Sequence, residues 1–434
     1  MRKIHTRLLT SLLGIGLLLS LSASASFGQA ADPLRLQLDA ALLADGQSGK
    51  ILYQKNAEQP LALASMTKIL TEYLILEAIN NKQLSWDDTT SVSAYAYRIS
   101  QNLTLSNVPL RRNEQYSVRE LYEAMAIYSA NGATIALAEL LAGNETEFVR
   151  MMNAKAKELG MENYSFVNST GLNNSDLQGE HPAGERNEEN FASAKDTALM
   201  AFRILRDYPE VLTIAGIPRK TFRPDTADAI RMDNWNWMLP ELVYGYEGVD
   251  GLKTGSTTLA GYCFTSTAQR NEVRLISVVM KGRSYAGRFQ ETKKLLDYGF
   301  ANFERKELYP AGYQVPGQTT IPVQRGRVNQ VEIAAAKPLS ILIKRGEGEH
   351  YQPEAQLKTP HLIAPVPAGH VVGELVAAYH GPTVYEYLTP EGPSLERVAL
   401  TTTVEVEKAG FLRLIFQSII AFFTRLAQQI RNLF

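Results

Sequence analysis

Residues 69–79 read ILTEYLILEAI, apolar on nearly every side of a helix. Such a segment needs burial on all faces, and so a domain large enough to surround it. At its mouth stand Ser65 and Lys68, three residues apart in ALASMTKIL. That spacing puts both side chains on one helix face. Partial burial strips water from a lysine ammonium, lowers its pKa and turns the side chain toward proton acceptance. The stretch therefore reads as a serine nucleophile carrying its own base. A serine and a lysine at this spacing also arise by chance, so the reading depends on what the rest of the chain supplies.

The chain has 434 residues, 45% apolar and 21% charged, the balance of an ordinary globular protein with room for two or three domains. A net charge of -1 gives no reason to invoke nucleic acid. Arg2, Lys3 and Arg7 precede an apolar run from Leu8 to Leu21 and then SASAS, the pattern of a secretory signal peptide cleaved after Ala25 or Ala30. The run is short for a bilayer span. With one cysteine, Cys263, no intramolecular disulfide can form, and stability must come from packed cores. Cys263 sits in the strand-like GYCFTS without flanking basic residues, which predicts a buried, inert thiol.

Along the chain, two apolar runs flank Gly46-Gln47-Ser48-Gly49 as in a hairpin, and the buried helix follows near Ser65. The amphipathic VRELYEAMAIY (118–128) breaks at Ser129-Ala130-Asn131 and resumes as a helix that Gly143 ends, so two helices meet at a polar corner. Strands are predicted at 249–258, 262–268 and 273–281, followed by the helical GRFQETKKLLDYGF. Strands at both ends with helices between them predict an α+β domain whose antiparallel sheet is assembled from its two termini. After Arg305 the composition turns to Pro, Gly, Val and Thr in short alternating runs, the mark of a β-rich module. The tail from Phe411 sets Arg413, Gln417, Thr424, Gln428 and Arg431 against an apolar face of Leu412, Ile415, Phe416, Ile419 and Phe422, a basic amphipathic helix suited to a membrane interface. The expected domains are a signal peptide over 1–30, a catalytic α+β domain over 31–305, a β-rich domain over 306–400 and an anchor helix over 401–434.

A serine nucleophile more often takes its proton acceptor from histidine. Of the six histidines, His5 lies in the signal and His350, His361, His370 and His380 in the β-rich module, leaving His181 alone in the first domain. A Ser-Lys arrangement needs none. Ser129-Ala130-Asn131 and Lys253-Thr254-Gly255 follow Ser65-x-x-Lys68 in chain order, and these three fragments in this order mark class A β-lactamases and penicillin-binding proteins. The sequence resembles the low-molecular-mass penicillin-binding proteins that act as D-alanyl-D-alanine carboxypeptidases. The likeness covers roughly residues 35–400 and includes FVNSTGLNN, SAKDTALM, DNWNWML, GVDGLKTG and APVPAGHVVGEL. The chain departs from the family at Leu63, where proline is common, at Gly132, where aspartate is common, and at Ser256, where histidine is common.

The resemblance implies a β-lactamase/transpeptidase-like fold followed by a smaller all-β domain, with no metal or cofactor. It implies that Ser65 attacks the carbonyl between two D-alanines, with Lys68 as base, Asn131 holding Lys68 and the substrate backbone, and Ser129 with Lys253 passing a proton to the departing D-alanine. It places the oxyanion hole at the backbone N–H groups of Ser65 and Ser256, beside Gly255, and the substrate carboxylate at Thr254, Thr257 and Arg288. The implied partners are peptidoglycan stem peptides ending in D-Ala-D-Ala, β-lactams as covalent inhibitors and, through the tail, the outer face of the cytoplasmic membrane. Two other readings compete. A class A β-lactamase needs a loop glutamate to activate the deacylating water, and no Glu-x-x-Leu-Asn occurs between Ser129 and Lys253. A non-catalytic penicillin-binding sensor or scaffold has no need of the complete set of five residues.

Overall fold

The computed structural model describes residues 32–415 and Ile419. Strands β1 (Ala40–Asp45) and β2 (Ile51–Lys55) join β3 (Val249–Thr257), β4 (Gly261–Arg270) and β5 (Val273–Gly282), which arrive much later in the chain. All five form one antiparallel sheet in the order β3-β4-β5-β1-β2, with Leu42 opposite Val278. The sheet is thus built from the two ends of the domain, as the alternation of apolar runs predicts. Every residue of β1 is buried, because both faces are covered. Ala40, Leu42 and Ala44 face the main helical core, while Leu43 and Leu275 meet Gly299 of a helix on the other side.

Helix α1 (Lys68–Asn80) runs through the centre of that core, and only Glu77, Ile79 and Asn80 escape full burial. Its lack of a polar face is what the sequence pattern requires. Helices α3 (Val118–Tyr128) and α4 (Asn131–Ala142) pack against α1, and α2 (Ala94–Ser100) packs on α4. A reciprocal capping box of Ser117 and Glu120 starts α3. Helix α5 (Glu145–Leu159) and helix α6 (Ala194–Asp207) complete the layer, and α7 (Tyr285–Asn302) covers the opposite face of the sheet.

The β-rich domain begins as α7 ends. Strand β6 (Phe303–Tyr309) pairs with β9 (Leu339–Lys344), and β7 (Thr320–Gln324), β8 (Gln330–Ala335), β10 (Tyr351–Leu357), β11 (Leu362–Ile363), β12 (Val371–Tyr379) and β13 (Arg397–Thr402) form a six-stranded sheet in the order β10-β12-β13-β8-β7-β11. This domain reaches past the expected boundary at residue 400. Strand β13 continues to Thr402, Val406 bridges Val366, and Lys408 bridges Gly326. Backbone pairing, invisible in composition, holds this stretch to the β domain rather than to the tail. A helical turn starts at Phe411, where Phe411, Leu412 and Ile415 are exposed. The expected signal peptide and most of the expected anchor helix lie outside the described residues. Among the described residues no helix is long and apolar enough to cross a membrane.

A segment of the β-rich domain runs along the free edge of β2. Ile51 N–H donates to Glu386 O and Leu388 N–H to Gly49 O, both at 2.8 Å. Beneath it Lys50 is buried, with its ammonium 2.8 Å from Glu396, 3.0 Å from Leu342 O and 5.1 Å from the Tyr385 ring centroid. Arg305 meets the fully buried Asp45 at 2.9 Å.

Candidate active site

Ser65 rides on the 3-10 turn Ala64–Thr67, and Lys68 is the first residue of α1. The turn is brought against β3 because Gly255 has no side chain: a Cβ there would lie 2.7 Å from Leu63 O and 3.0 Å from Ser65 N. Ser129 ends α3 in the left-handed region (φ 60°), a conformation that costs a non-glycine residue of order 1 kcal/mol and recurs at functional sites. The turn swings Asn131 to the start of α4. Gly132, where relatives of the resembled family often carry aspartate, abuts α2 so closely that a Cβ would sit 2.6 Å from the Ser100 Cβ.

Lys68 is fully buried. Its Nζ lies 2.8 Å from Asn131 Oδ1, 2.7 Å from Thr170 O and 3.0 Å from Ser65 Oγ. Asn131 is oriented by its own Nδ2, which donates to Ser106 O at 3.0 Å, so its oxygen faces the lysine. Asn131 Oδ1 and Thr170 O can only accept. A neutral amine spends its two N–H bonds on them, and its lone pair is left facing the Ser65 hydroxyl. Burial first, and then the Lys253 ammonium nearby, hold Lys68 well below the usual lysine range. The first of these causes is the one the sequence predicts. Lys253 on β3 is itself buried and drawn down to about 8, chiefly by desolvation, with Glu72 opposing the shift and Arg288 adding to it.

A cavity of about 190 Å³ opens above Ser65 and is lined in part by Ser129, Asn131, Thr254, Gly255, Ser256 and Arg288. The Ser129 hydroxyl is buried and has no hydrogen-bond partner among the described residues. Arg288, on α7, is 1% exposed, not a solvated surface residue. Its Nη1 donates to Gly255 O at 3.3 Å and its guanidinium lies 4.1 Å from the Tyr285 ring centroid, but no carboxylate of the described residues pairs with it. A buried cation without a carboxylate partner, on the same cavity as Ser65, is a ready site for an anionic group.

Seven of the ten residues expected at the site line this cavity, Lys68 lies behind it in contact with Ser65, and Lys253 is buried beside Thr254. The exception is Thr257, whose hydroxyl donates to the buried Glu189 at 2.7 Å and is not part of the cavity wall. The reason is local: Thr257 ends β3, and its hydroxyl donates to Glu189 and accepts from Ala260 N–H in the turn that follows. His181 is not among the lining residues. Cys263 is buried in β4, and burial pushes its thiol up to about 11.

Three contributors escaped the sequence reading. Thr170 acts through its carbonyl, for which no residue type is diagnostic. Trp235 lines the cavity, stacked on Tyr128 and donating Nε1–H to Tyr128 O at 2.9 Å. Glu72, one of two acids in the apolar run, is buried, and desolvation pushes its carboxyl up to about 7 against the opposing pull of Lys253 and Lys68. Its place in that run was the available signal. No carboxylate lines the cavity among the described residues, so the glutamate a class A β-lactamase uses to activate water has no counterpart there.

Residues 27–284 match the D-alanyl-D-alanine carboxypeptidase family, and residues 303–408 match the penicillin-binding protein 5, C-terminal domain. The chain is 33% identical over 411 residues to the D-alanyl-D-alanine carboxypeptidase DacF of Bacillus subtilis, covering 94% of this chain and 96% of that protein. Among solved structures, a peptidoglycan synthesis regulatory factor (PBP3) from Streptococcus pneumoniae is similar with a TM-score of 0.76 and 33% identity, covering 86% of this chain and 100% of that one. Penicillin-binding protein D2 from Listeria monocytogenes in its ampicillin-bound form is similar with a TM-score of 0.51 and 34% identity, covering 62% of this chain and 99% of that one.

Proposed function

The chain belongs to the D-alanyl-D-alanine carboxypeptidase family, and from that premise we propose how its residues remove the terminal D-alanine from peptidoglycan stem peptides. The observation that carries the reading is the fully buried Lys68 side chain, whose Nζ lies 3.0 Å from Ser65 Oγ, 2.8 Å from Asn131 Oδ1 and 2.7 Å from Thr170 O. Ser65 Oγ attacks the carbonyl between the two D-alanines as its proton passes to Lys68. The oxyanion is held by the backbone N–H groups of Ser65 and Ser256, a contribution of roughly 3–4 kcal/mol per donor in comparable sites. The C–N bond then breaks, and the departing amine takes a proton from Lys68 relayed through Ser129 and Lys253. Water, deprotonated by the restored amine, hydrolyses the Ser65 ester and frees the shortened peptide.

The unpaired Arg288 guanidinium, with Thr254, takes the terminal carboxylate, which makes the enzyme a carboxypeptidase rather than an internal peptidase. β-Lactams enter the same reaction, because the lactam carbonyl occupies the position of the scissile amide and its leaving nitrogen stays tethered by the ring. The residues over 1–30 act as an export signal, and the tail beyond Ala409 holds the enzyme on the outer face of the cytoplasmic membrane through its apolar side. Reading both from sequence pattern, we expect a chain ending at Ala409 to leave the membrane fraction with its peptidase activity intact.

The decisive experiment incubates the protein with a peptide ending in D-Ala-D-Ala and assays free D-alanine. Release by the wild type and none by Ser65→Ala is expected, with a penicillin adduct located at Ser65 by mass spectrometry. Release by Ser65→Ala, or an adduct at another residue, would overturn the reading.

A further inference from the structure

Three residues on the wall of the catalytic cavity carry buried polar atoms with no hydrogen-bond partner among the described residues: Ser129 Oγ, Arg288 Nε and Tyr285 Oη. A buried donor left unmatched destabilises the fold, so proteins keep few of them, and each one kept calls for an explanation. The mechanism proposed above uses Ser129 and Arg288. It leaves the third residue, Tyr285, without a task.

Tyr285 is the first residue of α7, after the capping Ser284, and lies one turn before Arg288 on the same helix face. The Arg288 guanidinium sits 4.1 Å from the centroid of its ring. Trp237 at 4.6 Å, Tyr262 at 5.8 Å and Trp235 at 6.3 Å surround that ring and fix it in place. If stacking on the guanidinium were its whole role, phenylalanine would serve, as Phe289 does on the same group at 4.8 Å. The hydroxyl therefore needs its own account. A guanidinium has donors only, so Arg288 can offer the phenol oxygen a hydrogen but cannot take one from it. Burial raises the phenol pKa against the opposing pull of Arg288, which keeps the hydroxyl protonated at neutral pH.

Resting on the reading of Arg288 as the site of the terminal carboxylate, we propose that Tyr285 joins Arg288 and Thr254 as a ligand for that carboxylate, its hydroxyl donating to one oxygen while Arg288 supplies the charge. Arg288 Nη1 is engaged with Gly255 O at 3.3 Å, and its Nε has no partner among the described residues. The guanidinium and the tyrosine hydroxyl, carried on one helix turn, suit a group with two acceptor oxygens and a negative charge. A cation by itself attracts a carboxylate without fixing its rotation. A neutral donor beside it does fix the rotation, so the amide between the two D-alanines is presented to Ser65 in one orientation.

The test compares the wild type with Tyr285→Phe, which keeps the ring and removes only the hydroxyl, in the full chain. Acylation of Ser65 is followed by mass spectrometry with benzylpenicillin, which carries a carboxylate beside its lactam, and with its methyl ester, which does not. The variant should acylate about tenfold more slowly with the acid, the loss expected for one hydrogen bond to a charged group, and within about twofold of the wild type with the ester. On a peptide ending in D-Ala-D-Ala, kcat/KM should fall by about the same tenfold factor. The melting temperature should not fall, since no described protein group loses a partner. A role confined to packing predicts equal effects, or none, on acid and ester, and either result overturns the proposal. So does a Tyr285→Phe chain that fails to fold, because the hydroxyl is then used within the protein. If the wild type prefers the acid and the variant keeps that preference in full, this inference fails and the carboxypeptidase reading stands. If the wild type does not distinguish acid from ester, the carboxylate site at Arg288 fails together with this inference. If it takes no penicillin at Ser65, the carboxypeptidase reading itself fails.

Discussion

Lys50 and Lys68 are buried to nearly the same degree, 1% and 0% exposed, yet the protein has built opposite surroundings for them. At the junction with the β-rich domain, Lys50 meets Glu396 at 2.8 Å, a backbone carbonyl at 3.0 Å and the faces of Tyr351, Tyr385 and Tyr387. Every neighbour favours an ammonium. In the catalytic cavity, Lys68 has two carbonyls, a hydroxyl and a second lysine, with its nearest carboxylates beyond hydrogen-bonding reach. Burial alone therefore decides neither chemistry nor structure. What decides is whether a counter-charge is placed in contact, so that the same side chain is a rivet in one region and, in the mechanism proposed above, a proton acceptor in the other.

That contrast is open to attack. The largest effect is expected from Lys68→Met, which keeps the stem volume and removes the proton acceptor. Acylation by labelled penicillin should fall about 10³-fold, within the range for loss of a general base, with the melting temperature little changed. Near-normal acylation would mean that Lys68 is not the base. Lys50→Met should do the reverse: penicillin acylation within about twofold of wild type, and a loss of roughly 3–5 kcal/mol in denaturant unfolding, because a carboxylate is left buried without its partner. Replacing both members, Lys50→Met with Glu396→Leu, should recover most of that loss. A double variant no more stable than the single one would show that the tyrosine cage, not the ion pair, holds the junction.

The smallest effect concerns Lys253. Its folded pKa of about 8 lies below the unfolded value of about 10.4. Between those limits the unfolded chain binds a proton that the folded chain does not, so the wild type should gain stability relative to Lys253→Met as pH rises from about 8 to 10. The slope should not exceed about 1 kcal/mol per pH unit. A difference that stays flat across this window would place the Lys253 ammonium in a better-compensated site than the structure gives it.

Much of this site was legible in the sequence because its chemistry is carried by side chains on strongly patterned elements. The apolar run of α1 located Lys68 in the interior before any contact was known, and the break at Ser129-Ala130-Asn131 placed a polar corner where two helices meet. What escaped acts through the backbone or through long-range packing. Thr170 contributes a carbonyl, and Trp235 reaches the cavity from a loop that pairs with Tyr128. Thr257 carries the right hydroxyl, but Glu189, 68 residues earlier, claims it. The boundary placed at residue 400 moved to about Ala409 for a similar reason: TTTVEVEK has no composition to separate it from a linker, and only pairing with Val366 and Gly326 assigns it to the β domain.

The order of strands in the catalytic sheet has a consequence in time. β1 must wait for β5, whose residues Val273–Gly282 are synthesised long after it, and the outer edge of β2 waits longer still, for residues 386–388. A nascent chain thus carries Ser65 and Lys68 early but has no β3 beneath them until past residue 257. Pairings this distant close slowly, and an uncovered strand edge is prone to join another chain. A copy that stops short of residue 257 therefore lacks β3 and exposes sticky strand edges, and the β-rich domain serves as the last stitch that protects the catalytic sheet from its neighbours.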